Sequence, residues 1–406
     1  MKKLYFFLIA FCILNIAKAQ WTSQTTDTMN SLNSVYFTDA NSGIAVGNNG
    51  IIIKTINGGN SWTSINSLFT DDFYSVYFTT PSTGYIVGSD GLGYAVILKT
   101  TNGGISWSDL LTLHNHYSSL YSICFTDTNT AYAVGRYGTI LKTINGGSTW
   151  DSLYSGTTFG FSSVYFINNN TGFIVGSAGR ILKTTNSGIN WVSQTSGTTK
   201  LLNSIYFTDI NTGYIVGEGG IILKTTNGGV NWIIQNLGSP VDLYSIYFTD
   251  FNTAYATGNG GTIVKTSNGG SSWITQNSGT AHTLKSVYFV DHNIGYVVGG
   301  YQWFLGNLIL KTTNGGGVGI YKLPYITENF LIYPNPTSDK LYINLQSIYD
   351  FQNSRISIYD IQGLLLLNET VNTGKTEINI SQYKRGIYIV KVFYNNNIFI
   401  SKFVKG

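Results

Sequence analysis

Carboxylates are the side chains of this sequence best able to do catalytic chemistry. Hydrolysis of a glycosidic bond needs two of them facing each other across the bond, one as the acid and one as the base or nucleophile. No pair stands out, and Asp39, Asp209 and Asp250 recur at equivalent positions after a strand-like run, where Asp is typical of turns. A hydrolase with carboxylates on inserted loops is therefore our alternative interpretation. The candidate carboxylates are Asp71, Asp72, Asp90, Glu218, Asp242 and Asp291.

The arginine content of the central region excludes a sialidase-type site, which grips the substrate carboxylate with three converging guanidinium groups. Residues 21–318 contain only Arg136 and Arg180. The same region carries 11 Lys and Arg residues against 13 Asp and Glu residues, so it is close to neutral. This balance lacks the basic footprint of a nucleic-acid-binding protein, and we predict no nucleic-acid partner.

His114 and His116 form the one close histidine pair of the sequence. A metal ion would need a third ligand, for which Asp109 is a candidate. We interpret the pair as part of a solvated loop, and we predict neither a metal ion nor another cofactor.

A repeated unit is the framework that positions these residues. Its first strand-like run, Ser-(Val/Ile)-(Tyr/Cys)-Phe, begins at Ser34 and recurs six more times, at steps of 41 residues and one step of 47. Runs of the type Gly-Tyr-Ile-Val-Gly and Ile-Ile-Leu-Lys-Thr follow, then an Asn-Gly-Gly turn suited to a tight hairpin, and a fourth run that begins at Trp. Four strands in about 40 residues are typical of a propeller blade. Seven units therefore predict an all-β, seven-bladed β-propeller over residues 20–318.

The seventh unit lacks its tryptophan strand, because Val318 follows the Gly-rich turn where the other units continue to Trp. The segment that starts at Trp21 matches the runs that start at Trp62 and Trp273. We therefore predict that an N-terminal strand closes blade seven, since an open ring would leave strand edges exposed. The structural tryptophans of the repeat are Trp21, Trp62, Trp107, Trp150, Trp191, Trp232 and Trp273.

Seven lysines, from Lys54 to Lys311, recur at the end of the third run. We place them away from the central channel and predict a structural role, with the aliphatic stem packed on a neighbouring blade.

Residues 1–19 have the pattern of a secretory signal peptide: Lys2 and Lys3, an apolar run, and an Ala17-Lys18-Ala19 cleavage site. The apolar run is too short to span a bilayer comfortably, and no other segment is long enough, so we expect no transmembrane segment. Only Cys124 would remain after cleavage, so the mature chain must be stabilised by its core. We expect a monomer.

The C-terminal region differs from the repeats. Pro324, Pro334 and Pro336 are three of the five prolines and mark a linker over residues 319–330. The alternating pattern beyond it predicts an immunoglobulin-like sandwich over residues 331–406. Its predicted strands lie near Leu341–Leu345, Arg355–Tyr359, Glu377–Ile380, Gly386–Tyr394 and Ile398–Val404.

The repeated Thr-x-Asn-Gly-Gly-x-x-Trp resembles a degenerate Asp-box, with Asn in place of Asp. The fuller pattern, Gly-Tyr-Ile-Val-Gly followed by Ile-Leu-Lys-Thr-Thr-Asn-Gly-Gly-x-x-Trp, is most similar to the propeller of the photosystem II assembly factor family and covers residues 21–317. This resemblance implies a fold more than a function, because the box serves to build a hairpin. A photosynthetic role is not implied.

The C-terminal region resembles the type A sorting domain of the type IX secretion system. The motifs that carry this resemblance are Tyr333-Pro-Asn-Pro336, Ile358-Tyr-Asp-Ile-Gln-Gly363, Gly386-Ile-Tyr-Ile-Val-Lys391-Val and the terminal Ser401-Lys-Phe-Val-Lys-Gly. The resemblance implies Sec export first and then type IX secretion, with the secretion machinery as a partner through residues 331–406. The protein would be secreted or held at the outer cell surface.

A binding function is expected where the repeat breaks. The connection between the second and third strands is extended in blades two and seven, and it carries exposed aromatic residues suited to a protein or glycan ligand. We predict a non-enzymatic protein that binds such a ligand on this face. The candidate ligand-binding residues are Asp90, Tyr94, Arg136, Tyr137, Glu218, Tyr301, Trp303 and Phe304.

Overall fold

The structure is a computed structural model that describes residues 20–110, 118–300, 306–317, 330–345, 354–361, 364–371, 373–394 and 397–406. It divides the chain into two compact units, Met1–Gly319 and Ile320–Gly406. Within the described residues there is no helix long and apolar enough to cross a membrane.

The first unit is an all-β, seven-bladed propeller built from four-stranded antiparallel sheets. The strands up to blade three are β1 (Thr22–Gln24), β2 (Leu32–Phe37), β3 (Gly43–Gly47), β4 (Ile52–Thr55), β5 (Thr63–Ile65), β6 (Asp72–Phe78), β7 (Gly84–Ser89), β8 (Ala95–Thr100), β9 (Ser108–Asp109), β10 (Leu120–Phe125), β11 (Ala131–Gly135), β12 (Ile140–Thr143) and β13 (Asp151–Leu153). Blades four to seven comprise β14 (Phe161–Phe166), β15 (Gly172–Gly176), β16 (Ile181–Thr184), β17 (Val192–Gln194), β18 (Leu202–Phe207), β19 (Gly213–Gly217), β20 (Ile221–Thr225), β21 (Ile233–Asn236), β22 (Leu243–Phe248), β23 (Ala254–Gly258), β24 (Ile263–Thr266), β25 (Ile274–Gln276), β26 (Thr283–Phe289), β27 (Gly295–Gly300) and β28 (Asn307–Thr312). Among the described residues, four single 3₁₀ turns join second to third strands, at Arg136–Gly138, Ser177–Gly179, Glu218–Gly220 and Asn259–Gly261.

Blade seven is completed by the N-terminal strand, as predicted. Strand β1 pairs antiparallel with β28, with Thr22 opposite Lys311, so the sheet order is β1-β28-β27-β26. Trp21 is only 1% exposed, and its ring lies edge-on to Tyr255 and Phe289. The two ends of the propeller chain therefore share one blade, and aromatic packing reinforces the strand pairing.

The Thr-x-Asn-Gly-Gly segment is a hairpin held together by its own side chains. In the first copy, Thr55 Oγ1 accepts hydrogen bonds from the Asn57 and Gly59 amides, and Asn57 Oδ1 accepts one from the Ser61 amide at 3.0 Å. Gly58 and Gly59 have φ values of +64° and +76°, which favour glycine. The hairpin is therefore a folding element, as the sequence indicated.

The repeat lysines link each blade to the next. Lys99 Nζ and the Tyr85 hydroxyl both donate to the Gly146 carbonyl in the following hairpin, each at 2.8 Å. The last lysine, Lys311, donates to the Gly58 carbonyl of blade one and so completes the ring. The structural role is confirmed, but the contact that links the blades runs through the ammonium group, because the hairpin carbonyl lies within its reach.

The second unit contains two sheets that enclose one core. The strands are β29 (Leu331–Tyr333), β30 (Lys340–Asn344), β31 (Ser354–Asp360), β32 (Leu365–Val371), β33 (Lys375–Asn379), β34 (Gly386–Tyr394) and β35 (Asn397–Lys405). The sheet orders are β29-β30-β33 and β32-β31-β34-β35, as expected for a sandwich. Five strands were predicted, whereas β29 and β32 were missed. Strand β32 shows no alternation, since only Val371 of its seven residues is buried.

Candidate binding site at the channel mouth

The inner strands of the propeller expose one edge to the central channel, and side chains from the preceding blade satisfy that edge. Ser34 Oγ accepts a hydrogen bond from the Val76 amide of the next blade at 3.3 Å. Ser122, Ser204 and Ser245 make the equivalent contact. The repeated serine is therefore structural, because an unpaired strand edge in the channel would leave backbone groups without partners.

A ring of tyrosines lines the channel two residues further along each inner strand. The Tyr36 hydroxyl donates to the Phe78 carbonyl of the next blade at 3.1 Å, and Tyr288 closes the circle on the Phe37 carbonyl at 2.9 Å. We name this ring the tyrosine belt. Its positions are Tyr36, Tyr77, Cys124, Tyr165, Tyr206, Tyr247 and Tyr288.

Cys124 is the one belt position that is not a tyrosine. Burial raises the pKa of its thiol to about 11, so the thiol is protonated at neutral pH. Burial also raises the pKa of Tyr165 and Tyr288 well above the usual range, which keeps these hydroxyls as donors. The belt is therefore uncharged.

A second ring lies at the start of the inner strands, immediately before the repeated serine. We name it the mouth row. The 3₁₀ turns bond to the segments that lead into these strands, as in the Arg136 amide to Ser119 carbonyl bond at 2.9 Å, so the mouth row and the second-to-third turns occupy one face. Its positions are Asn33, Tyr74, Tyr121, Ser162, Asn203, Tyr244 and Lys285.

A cavity of about 310 Å³ opens within the mouth row. Tyr74 and Tyr121 lie edge to face, 5.2 Å apart, and the Tyr244 hydroxyl donates to Asn259 Oδ1 at 3.1 Å. The cavity is therefore walled by aromatic rings that carry polar groups. Its lining residues are Asn33, Tyr74, Asn203, Tyr244, Thr283 and Lys285.

Lys285 supplies the positive charge of this cavity. Its Nζ donates to Asn33 Oδ1 at 2.7 Å, and Asn33 in turn donates to Asn48 Oδ1 and to the Phe73 carbonyl, each at 2.7 Å. Burial lowers the pKa of Lys285, partly offset by the field of Asp72. The ion pairs within the described part of the chain involve other residues. The ammonium group is thus held in place by an amide and has donors left for an anion.

The predicted loop residues that the structure describes lie on this face, but their contacts are local. Asp90 Oδ1 accepts from the Leu92 and Tyr94 amides at 2.9 and 2.8 Å, so Asp90 shapes its own loop. The Arg136 guanidinium lies 5.0 Å from the ring centre of Tyr137, which is 57% exposed. These residues form exposed edges of the turns rather than one assembled pocket.

Glu218 also contacts its own blade connection, since its Oε2 accepts from the Leu201 amide at 3.4 Å. Tyr301, Trp303 and Phe304 lie outside the described residues, and their part in a site stays a prediction. His114 and His116 are outside them too. Among the residues that the structure does describe, no group of three His, Cys, Asp or Glu side chains is arranged to hold a metal ion.

The other candidate carboxylates also hold turns. Asp72 accepts from the Asn49 amide at 3.0 Å, Asp242 from the Gly219 amide at 2.7 Å, and Asp291 from the Asn293 amide at 2.7 Å. Burial, followed by the fields of Asp90, Asp109 and Asp72, raises the pKa of Asp71. Hydrogen bonds from loop and turn amides therefore account for the role of most of these carboxylates.

Sequence reasoning missed the mouth row. The residue before the repeated serine varies among Asn, Tyr, Ser and Lys, whereas the residues on either side of it are nearly constant. That variation within an otherwise strict repeat was the available signal. Breaks in loop length do not reveal it, because a change of side chain within a strand leaves loop length unchanged.

Comparison with known proteins agrees with this architecture. Residues 13–158, 111–201 and 156–285 match the family described as photosynthesis system II assembly factor YCF48, and residues 331–406 match the secretion system C-terminal sorting domain. No curated protein matches the sequence significantly.

Solved structures share the fold at low sequence identity. YCF48 with a bound D1 peptide is 20% identical with a TM-score of 0.62, over 74% of this chain and 97% of that chain. YCF48 from Cyanidioschyzon merolae is 21% identical with a TM-score of 0.61, over 72% and 99%. PorZ, a surface component of the type IX secretion system of Porphyromonas gingivalis, is 14% identical with a TM-score of 0.55, over 90% and 58%.

The repeated family matches together span residues 13–285, which cover blades one to six, and blade seven continues the same four-stranded architecture. The match at residues 331–406 coincides with the second unit and marks the chain for type IX secretion, and so for release or display at the cell surface. The chain therefore belongs to the YCF48-like family of seven-bladed β-propellers and ends in a type IX secretion sorting domain.

Proposed function

We propose that this protein is a non-enzymatic binding protein that holds a protein ligand at the channel mouth, through a segment that presents a carboxylate to Lys285. The observation that supports this proposal most directly is the partly buried ammonium group of Lys285. It faces a cavity lined by aromatic and polar side chains and is fixed by Asn33 at 2.7 Å rather than by a carboxylate. A buried charge is costly unless it is paired, and a ligand carboxylate would provide the missing pair.

The walls of the cavity suit a peptide segment. Tyr74 and Tyr244 present aromatic faces for apolar contacts, and the side-chain amide oxygen of Asn203 can accept a hydrogen bond from a peptide backbone. A family member has been solved with a D1 peptide bound, which supports a peptide as the ligand class. The peptide bound by that protein carries no implication for the identity of this ligand.

The exposed second-to-third turns form the rim of the proposed site. Asp90, Tyr94, Arg136, Tyr137 and Glu218 would add contacts around the mouth, together with Tyr301, Trp303 and Phe304 of blade seven. These contacts would select among ligands, whereas the mouth row would anchor the shared carboxylate.

We further propose a two-step export route. Residues 1–19 would direct the chain through Sec and be removed, and the sorting domain would then engage the type IX machinery. Mass spectrometry of the secreted product tests this route. We expect an N-terminus at Gln20, and a product that starts at Met1 would contradict it.

Peptide binding is tested with the mature chain, residues 20–406, against a peptide array printed twice, once with free carboxyl ends and once with amidated ends. We expect hits that depend on a carboxylate, either the free end or an acidic side chain. Lys285→Asn should weaken these hits roughly 10- to 100-fold, since a hydrogen bond to a charged group contributes about 1.5–3 kcal/mol.

The substituted side chain is one that the repeat already carries in the mouth row, at Asn33 and Asn203, so the fold should tolerate it. Ser162→Asn is the matched control, because it makes a similar change in blade four outside the cavity lining. Equal binding by wild type and Lys285→Asn would contradict the proposed anchor.

A further inference from the structure

We infer that a groove on blade four, separate from the channel mouth, binds an oligosaccharide that carries an anionic group. The groove has a volume of about 690 Å³ and is lined by residues 178–180 and 193–200. It runs between the second-to-third turn of this blade and the connection to blade five. It is therefore formed by a single blade and its outgoing loop.

Most of the side chains that line the groove are polar. Residues 193–200 read Ser-Gln-Thr-Ser-Gly-Thr-Thr-Lys, and most of these side chains end in a hydroxyl or an amide group. Ala178 is the one apolar residue other than glycine among the lining residues, and none of them is acidic. These hydroxyl and amide groups can bond to the hydroxyls of a sugar.

A hydrogen bond and close backbone packing hold the floor of the groove in place. Ser196 is buried, and its hydroxyl donates to the Thr198 carbonyl at 3.1 Å. Gly179 has a φ of +67°, and a Cβ at this position would lie 1.9 Å from the Thr198 carbonyl oxygen. The turn and the connection therefore pack tightly and hold the groove open on its solvent side.

Arg180 gives the groove its charge and its specificity. The guanidinium carbon lies 4.3 Å from the ring centre of Phe159, which fixes the plane of the group. Its Nε is buried and has no hydrogen-bond partner within the described residues. An arginine held by stacking and left without an acceptor is suited to a planar carboxylate or a sulfate. Lys200 adds a second positive charge at the end of the groove.

The position of Arg180 is unusual within the repeat. The equivalent residue is Ile51 in blade one, Thr139 in blade three, Ile221 in blade five and Thr262 in blade six. In each of blades one, three, four and six, the carbonyl of this residue accepts the same amide bond at 3.0–3.1 Å. The backbone therefore does not require arginine, and its presence in blade four calls for an explanation beyond the fold.

The test uses the mature chain and two pairs of probes, measured by isothermal titration calorimetry. One pair is a chondroitin sulfate hexasaccharide and its chemically desulfated form, and the other is an oligogalacturonate and the corresponding methyl ester. We expect at least tenfold tighter binding either of the sulfated chondroitin over its desulfated form, which keeps its carboxylates, or of the oligogalacturonate over its neutral methyl ester. The pair that responds identifies the anionic group as a sulfate or a carboxylate.

Arg180→Thr is the variant of choice, because Thr139 and Thr262 already occupy the same position. It should weaken binding of the charged probe at least tenfold. Arg136→Ser is the matched control, since it removes the other arginine of the propeller from a turn of the same face and installs the residue that blade four has there, Ser177. It should change binding less than twofold.

Two outcomes would overturn the inference. One is the absence of binding by all four probes. The other is an equal loss in the Arg180→Thr and Arg136→Ser variants, which would indicate diffuse attraction to the surface. Because Arg180 lies outside the channel mouth and its proposed rim, peptide binding at the mouth should persist in the Arg180→Thr variant, and the two proposals can fail independently.

Discussion

The tyrosine belt and the mouth row lie on the same seven inner strands, three residues apart, yet they follow opposite rules. The belt repeats one side chain in six of seven blades, and its hydroxyls bond to the carbonyls of the next blade. The mouth row uses four residue types, and five of its seven members line a cavity. In this propeller, strict repetition identifies side chains that join blades, and variation identifies side chains free to contact something else.

The largest expected effect comes from removing the N-terminal strand that closes the ring of blades. Deletion of residues 20–25 removes strand β1 and the fully buried Trp21. Loss of a buried tryptophan alone costs about 3–5 kcal/mol. We expect the melting temperature to fall by roughly 10 °C or more, measured by differential scanning calorimetry. An unchanged melting temperature would mean that the N-terminal strand does not contribute to the ring.

The second test compares the stability lost when one tyrosine is removed from the tyrosine belt and one from the mouth row, in neighbouring blades. Tyr206→Ala in the belt removes an aromatic contact with Tyr247 and a bond to the Phe248 carbonyl. We expect a loss of about 3 kcal/mol in the free energy of unfolding. Tyr244→Ala in the mouth row should cost under about 1 kcal/mol, as is usual for residues outside the packed core.

Urea titrations of both variants measure the difference. Similar losses at Tyr206 and Tyr244 would remove the distinction between a structural ring and a ring available for binding. A small change in the slope of the titration would be acceptable, since both variants keep the same buried strands.

The third test places a tyrosine at the one position of the tyrosine belt that lacks it. Cys124→Tyr would complete the belt between Tyr77 and Tyr165 and supply the missing hydroxyl. Substitutions toward the repeat consensus commonly stabilise a protein by about 0.5–2 kcal/mol, and we expect about 1 kcal/mol here. A destabilised variant, judged by chemical denaturation, would show that the channel wall has adapted to the smaller thiol. Cys124→Ser serves as the control for loss of the thiol alone.

The smallest expected effect concerns the turn after the first strand of a blade, where blade one carries Asp39. Hydrogen bonds from the Asn41 and Ser42 amides hold the pKa of Asp39 below its usual value. A lowered folded-state pKa contributes stability that is present above the unfolded value of about 4 and is lost as the pH falls through the folded value. We expect the melting temperature to decline below about pH 4.

Asp39→Asn should remove part of that decline, because blade four already carries Asn168 at the equivalent position with the same two amide bonds. Melting curves of both proteins between pH 5 and pH 2.5 test this expectation. Parallel curves for wild type and variant would contradict a contribution from this carboxylate.

The sequence was sufficient to predict the blades because each level of the pattern indicates the same structure. The Gly-rich hairpin, the strand-like runs and the spacing of the tryptophans agree, and even the missing Trp after Gly317 pointed to Trp21. Strand β32 was missed because exposed leucines give no alternation. The mouth row was missed because its location depends on how seven strands meet around an axis, which no single repeat encodes.

Closure by strand β1 has a consequence for how the ring assembles. In blade two the bond from Ser108 Oγ to the Lys99 carbonyl spans nine residues, whereas the matching bond in blade seven, from Thr22 Oγ1 to Lys311, spans 289 residues. The longer loop adds about 3 kcal/mol of closure entropy, so the seam should form last and exchange its amide hydrogens first. A circular permutant that joins residue 317 to Gln20 and opens a different blade would relocate that seam without altering a single contact of blade seven.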